Sequence, residues 1–137
     1  MLEFIVYGEP KGKGRPRFNR KTGTAYSPTM TSDYESLVRW SWINAYRGFQ
    51  PYSMHIPLKV TIEAYFGVPK SGSRARKSRM IANIERPTKK PDTDNIAKII
   101  LDALNGLAYH DDAQIVELKL VKCYGEIPCV RVKIDEV

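Results

Sequence analysis

The chain has 137 residues, with 22 Lys and Arg against 15 Asp and Glu, and a formal net charge of +7. Its 42% hydrophobic and 27% charged content excludes a disordered chain, and no apolar run approaches the ~20 residues of a membrane span. The positive excess favours a polyanionic partner. Met1-Leu2-Glu3-Phe4-Ile5-Val6 lacks the basic region and long apolar block of a signal peptide, which predicts a cytoplasmic protein.

Residues 2–7 read as a first strand, with Leu2, Phe4 and Val6 on one face. The segment 8–21 follows, punctuated by Gly8, Pro10, Gly12, Gly14 and Pro16, which forbid a regular helix or a central strand. Its basic side chains include Lys11, Lys13, Arg15 and Arg17. We read it as an arm that grips phosphates, in preference to a solvated loop, with Phe18 and Tyr26 available to pack or stack. Its glycine spacing matches neither a P-loop nor a dinucleotide fingerprint.

The apolar spacing predicts a helix over 33–47 with Tyr34, Leu37, Val38, Ser41, Trp42 and Ala45 facing the core. Trp40 and Ile43 fall off that stripe; we read them as the edge of a broad buried face rather than a partner surface. Residues 58–66 alternate cleanly, with Leu58, Val60, Ile62, Ala64 and Phe66 inward, and predict a half-buried strand. Residues 70–90 are strongly basic, include Arg74, Arg76, Lys89 and Lys90, and predict a short helix near 74–83 beside a nucleic-acid backbone site.

A helix is expected from Thr93 or Asp94 to about Asn105, with Ile96, Ile99, Ile100, Ala103 and Leu104 on its core stripe. Strands over 113–123 and 129–135 should form an antiparallel pair. In the first of them, Val116, Leu118 and Leu120 take one face. Cys123 and Cys129 read as buried thiols in those paired strands rather than a disulfide. The predicted fold is α/β (α+β): one domain over 1–137, a mixed sheet of about four strands in the order β-α-β-α-ββ, and two or three helices on one side.

The chemistry concentrates in Asp92, Asp94, Lys98, Asp111 and Asp112. Positions 94, 98 and 102 rise along one helix face, opposite the isoleucine stripe. If the next strand packs beside the helix start, Asp111 or Asp112 completes a cluster. Carboxylates so gathered repel one another unless a cation joins them. Oxygen-only ligands select Mg²⁺, Mn²⁺ or Ca²⁺ rather than Zn²⁺. Such an ion, with Lys98 beside it, could stabilise phosphodiester hydrolysis. Each residue also has a plain structural role: Asp94 as a helix cap, Lys98–Asp102 as an exposed pair, Asp111-Asp112 as a turn. An EF-hand is disfavoured: in a loop starting at Asp92, its required Gly and Glu positions hold Ala97 and Ala103. A metal-dependent nuclease acting on nucleic-acid phosphates competes with a non-catalytic nucleic-acid-binding module.

Three stretches carry a resemblance: Lys90-Pro91-Asp92-Thr93-Asp94-Asn95-Ile96-x-Lys98, Asp102-Ala103-Leu104-Asn105-Gly106, and Tyr109-x-Asp111-Asp112-x-Gln114-Ile115. With Pro10-Lys11-Gly12-Lys13-Gly14-Arg15-Pro16-Arg17, they resemble the RusA-type Holliday junction resolvases. The resemblance implies a Mg²⁺-dependent endodeoxyribonuclease, with Mn²⁺ able to substitute. It implies a homodimer that nicks a four-way DNA junction in paired, symmetric fashion during recombination and repair. By motif, the catalytic and metal-binding acids fall on Asp92, Asp94 and Asp112, with Asp111 an adjacent candidate ligand. The essential lysine falls on Lys98.

Overall fold

The computed structural model describes residues 1–26 and 28–137. Ten-residue β4 (Leu58–Gly67) lies inside a sheet of order β1-β6-β4-β5. Its inward residues, Leu58, Val60, Ile62, Ala64 and Phe66, are all buried, as the alternation predicts. Around it stand β1 (Leu2–Tyr7), β5 (Ile115–Gly125) and β6 (Cys129–Glu136). β6 runs antiparallel to both β1 and β4, whereas β5 runs parallel to β4, so the sheet is mixed.

The expected pairing of the last two strands is overturned. β4 sits between β5 and β6, so the turn through Glu126–Pro128 bridges the end of another strand. Cys123 and Cys129 flank Tyr65 from opposite sides. Two strand spacings, roughly 9.5 Å, separate their backbones, beyond the ~7 Å reach of a disulfide. Both thiols are free and only half-buried.

α1 (Thr29–Ala45) begins four residues before the position predicted from sequence, with Pro28 at its N-cap. Its buried residues are Thr31, Tyr34, Val38 and Trp42, a narrower stripe than predicted. Leu37 is 40% exposed, and Ala45 is exposed as well. Trp40 (65%) and Ile43 (44%) also face outward, which corrects their reading as the edge of a buried face. The one buried row packs against both β1 and α3 (Thr93–Ala103), which leaves most of the remaining helix surface in solvent. Trp42 anchors that row, meeting Phe4 edge-on at 5.4 Å and Phe49 at 5.5 Å.

α3 buries Ile96, Ala97, Ile99, Ile100, Leu101 and Ala103 in the same contiguous cluster as the sheet. α2 (Arg74–Ile81) lies nearer β5 and buries only Met80. A hairpin not anticipated from sequence, β2 (Arg17–Phe18) with β3 (Ala25–Tyr26), ends the basic arm. Its Phe18 and Tyr26 are exposed. β5 is an edge strand, which leaves Val116 and Leu118 in solvent rather than on a packed face. Among the described residues no helix is long and apolar enough to cross a membrane.

Candidate active site

Asp92 occupies the N-cap of α3, yet its carboxylate makes no capping hydrogen bond. Only its backbone carbonyl joins the helix, accepting from the Ile96 N–H at 3.1 Å. Asp94 lies in the first turn, and both acids are exposed. Both carboxylates stand at the positive end of the helix dipole, open to a ligand from solvent. Lys98 stands one turn later with its side chain 61% exposed.

The basic arm is docked against this helix start. Lys13 donates its backbone N–H to the Asn95 carbonyl at 3.0 Å, and Gly14 donates to Thr31 Oγ1 at 2.9 Å. The approach needs glycine: a Cβ on Gly12 would stand 2.9 Å from Pro91 Cβ and 3.0 Å from Asn95 Cβ. The arm thus joins the starts of α1 and α3 and walls a cleft of about 700 Å³. Lys11, Arg15, Lys89, Lys90, Asp92 and Asn95 line that cleft, so basic side chains surround the first acid. Lys11, Arg15, Lys89 and Lys90 are exposed, as is Arg17 in the hairpin beyond.

Lys122 was missed in the sequence reading. It lies on β5 opposite Ala64, with its ammonium 5.1 Å from the buried Phe66 ring and donating to the Lys89 carbonyl. In return Arg86 Nε donates to the Lys122 carbonyl at 2.7 Å. These reciprocal bonds fasten the strand to the segment that delivers Asp92. Burial pulls the Lys122 ammonium below its ordinary pKa, and the nearby Asp92 charge opposes that pull. The parallel β4–β5 pairing sets this lysine against Phe66 and Lys89, two residues that line the cleft, and an expected β5–β6 hairpin hides that placement. Farther out, Arg76 is paired with Glu85 at 3.1 Å, whereas Arg74 is exposed at the start of α2.

The second pair of acids arrives in a 3-10 turn over Asp112–Gln114. Buried Gln114 holds this turn in place. Its Oε1 accepts from the His110 and Asp111 N–H groups at 2.9 and 3.2 Å, and its Nε2 donates to the Ser53 carbonyl at 2.7 Å. Tyr109 donates its hydroxyl to the Leu101 carbonyl at 2.7 Å, which presses the connection onto α3. Burial raises the Asp112 carboxyl above its ordinary pKa. Asp111 adds repulsion and a hydrogen bond, Asp102 adds further repulsion, and Lys98 opposes the shift.

The acids therefore stand as two pairs, Asp92 with Asp94 at the start of α3 and Asp111 with Asp112 on the turn. Among the described residues no three His, Cys, Asp or Glu side chains form a ready metal cluster. The donor chemistry nonetheless fits a hard divalent ion, because Asp112 and Asp111 carry repulsion that a cation relieves. Mg²⁺ needs only one or two carboxylates, with water and substrate phosphate completing its shell.

Residues 7–135 match the family described as Endodeoxyribonuclease RusA. The chain belongs to the RusA endodeoxyribonuclease family. An uncharacterized protein, YqaN of Bacillus subtilis (strain 168), is 37% identical over 140 residues, covering 99% of this chain and 96% of its own length. The RusA match spans both pairs of acids and Lys98, and omits only residues 1–6 and 136–137.

Proposed function

We propose that this RusA-family chain is a Mg²⁺-dependent, structure-selective DNA endonuclease that resolves Holliday junctions. The observation that carries this reading is the position of Asp92: an exposed carboxylate, free of capping duty, at the edge of a cleft lined by Lys11, Arg15, Lys89 and Lys90. Asp92, Asp94 and Asp112, with Asp111 adjacent, would hold the ion. When bound, the ion supplies charge neutralisation at the scissile phosphate and an acidified water.

The chain's own groups do the rest. The cleft cations neutralise backbone phosphates and fix the register of the strand without reading bases. Lys98, exposed on the same helix face as Asp94, places positive charge where it builds on the non-bridging oxygens. A carboxylate of the group accepts the proton of the attacking water. Resolution needs two matched nicks in opposed strands, which two copies related by a twofold axis provide, so the active species is a homodimer. Arg17, Arg74 and Arg76 extend the positive surface along the DNA arms.

The test is cleavage of an end-labelled four-way junction, with Mg²⁺ or with a chelator, against excess unlabelled duplex and flap DNA. Paired nicks at symmetric positions that need Mg²⁺ and resist the competitors are expected. Tight junction binding with no product under any divalent ion would instead favour a non-catalytic binding module.

A further inference from the structure

Lys13 belongs to the basic arm, yet its ammonium is turned inward. Its side chain is only 19% exposed, and it donates to Glu35 Oε1 of α1 at 2.7 Å. The same ammonium stands 3.4 Å from Asp102 Oδ2 on α3. Lys98 reaches that same oxygen, Asp102 Oδ2, at 3.6 Å. One carboxylate oxygen on α3 thus faces two ammoniums, one inward and partnered, the other outward and exposed.

We propose that Lys13 is a positioning residue for Lys98, acting through Asp102. This inference rests on the nuclease reading for its consequence, though not for its geometry. Asp102 alone would draw the Lys98 ammonium back along the helix, because an opposite charge one turn away is its nearest partner. Lys13 occupies part of that attraction from the inner side, where low exposure weakens solvent screening. Glu35 in turn sets how much of Lys13 is left for Asp102. Lys98 is thereby held loosely enough to swing to a DNA phosphate. The arm that lines the cleft and the lysine that faces the strand are coupled through one shared oxygen.

The test measures how tightly Lys98 is held, with no DNA or metal present. Trace acylation by an amine-selective reagent is followed by peptide mass spectrometry, with exposed Lys21 as the internal reference. Lys13→Met should lower Lys98 labelling, because Asp102 then has one partner. Glu35→Gln and Asp102→Asn should raise it, and Lys13→Arg should restore the wild-type level. With a junction substrate, Lys13→Met should lower turnover by about a hundredfold while junction affinity is unchanged. Labelling at the wild-type level in all three of Lys13→Met, Glu35→Gln and Asp102→Asn would overturn the proposal. So would a Lys13→Met loss of junction affinity as large as its loss of turnover, which would mark a DNA contact. Wild-type protein that cuts no branched DNA would remove the nuclease reading, while the labelling pattern would still decide the Lys13–Asp102–Lys98 linkage.

Discussion

The backbone N–H of Asp112 donates to Oδ1 of Asn105 at 3.0 Å. Asn105 stands just past the end of α3, so the helix that carries Asp92, Asp94 and Lys98 also fixes the turn that carries Asp111 and Asp112. Asn105→Ala removes this tie and leaves a part-buried N–H without its acceptor. A loss of about 1–2 kcal/mol in urea unfolding is expected. Nuclease activity should fall further than that stability loss explains, because the two pairs of acids lose their common frame. Equal activity in wild type and variant at a temperature where both are folded would refute the coupling.

The docking of the arm has an equally local test. Gly12→Ala places a methyl 2.9 Å from Pro91 Cβ and 3.0 Å from Asn95 Cβ, both part of the segment that begins α3. Overpacking of this kind costs about 1–3 kcal/mol or displaces the arm. The variant should melt at lower temperature and bind junction DNA more weakly. Gly23→Ala supplies the contrast. No neighbouring atom lies within 4 Å of its Cβ position, so only its φ of +73° resists substitution. Its penalty should appear in stability without loss of junction affinity.

The cleft cations predict a salt signature. Lys89→Ala and Arg15→Ala should each weaken junction binding uniformly across sequences. Each should also reduce the slope of log affinity against log salt by about 1. Titrations at four or more salt concentrations measure it. An unchanged slope in both variants would place the DNA elsewhere on the surface.

α3 and β4 were legible because each has one dry face and one wet face, and the periodicity of Ile96, Ile99, Ile100 and Leu104 or of Val60, Ile62 and Ala64 records it. The arm's glycines were legible as a departure from regular structure, but not as the contact of Gly12 with Pro91. The pairing of β5 was not legible. A short turn after Tyr124 is the ordinary sign of a hairpin, and only the sheet order reveals β4 inserted between the strands. That insertion also hid Lys122. The inward role of Lys13 was invisible for a different reason. Its partners Glu35 and Asp102 lie on two separate helices, and a charge in a basic run looks solvated until its neighbours are known.

Glu63 and Tyr65, on the open face of the sheet, contribute to the pH dependence of stability. Tyr65 donates its hydroxyl to Glu63 at 2.6 Å, and Lys133 stands 3.3 Å from the same carboxylate. The Tyr65 bond, joined by Lys133 and Arg131, holds the Glu63 carboxyl below its ordinary value of 4.5. A depressed acid contributes stability that is present above the unfolded value and lost as pH falls through the folded one. Glu63 likewise pushes the Tyr65 phenol up to about 12 from 10.0, so that contribution is lost as pH rises through this interval. Glu63→Gln should flatten both the acid limb below 4.5 and the alkaline limb above 10.0 in a plot of melting temperature against pH. Limbs of unchanged steepness would show that other groups govern both edges.

The central claim is that the carboxylate at the start of α3 takes part in cutting a DNA junction rather than in capping a helix. The most direct measurement compares wild type with Asp92→Asn on one labelled four-way junction, in Mg²⁺, with binding followed in the same samples. Loss of cleavage by about a thousandfold or more, with junction affinity retained, is the predicted result. Normal cleavage by Asp92→Asn would contradict it.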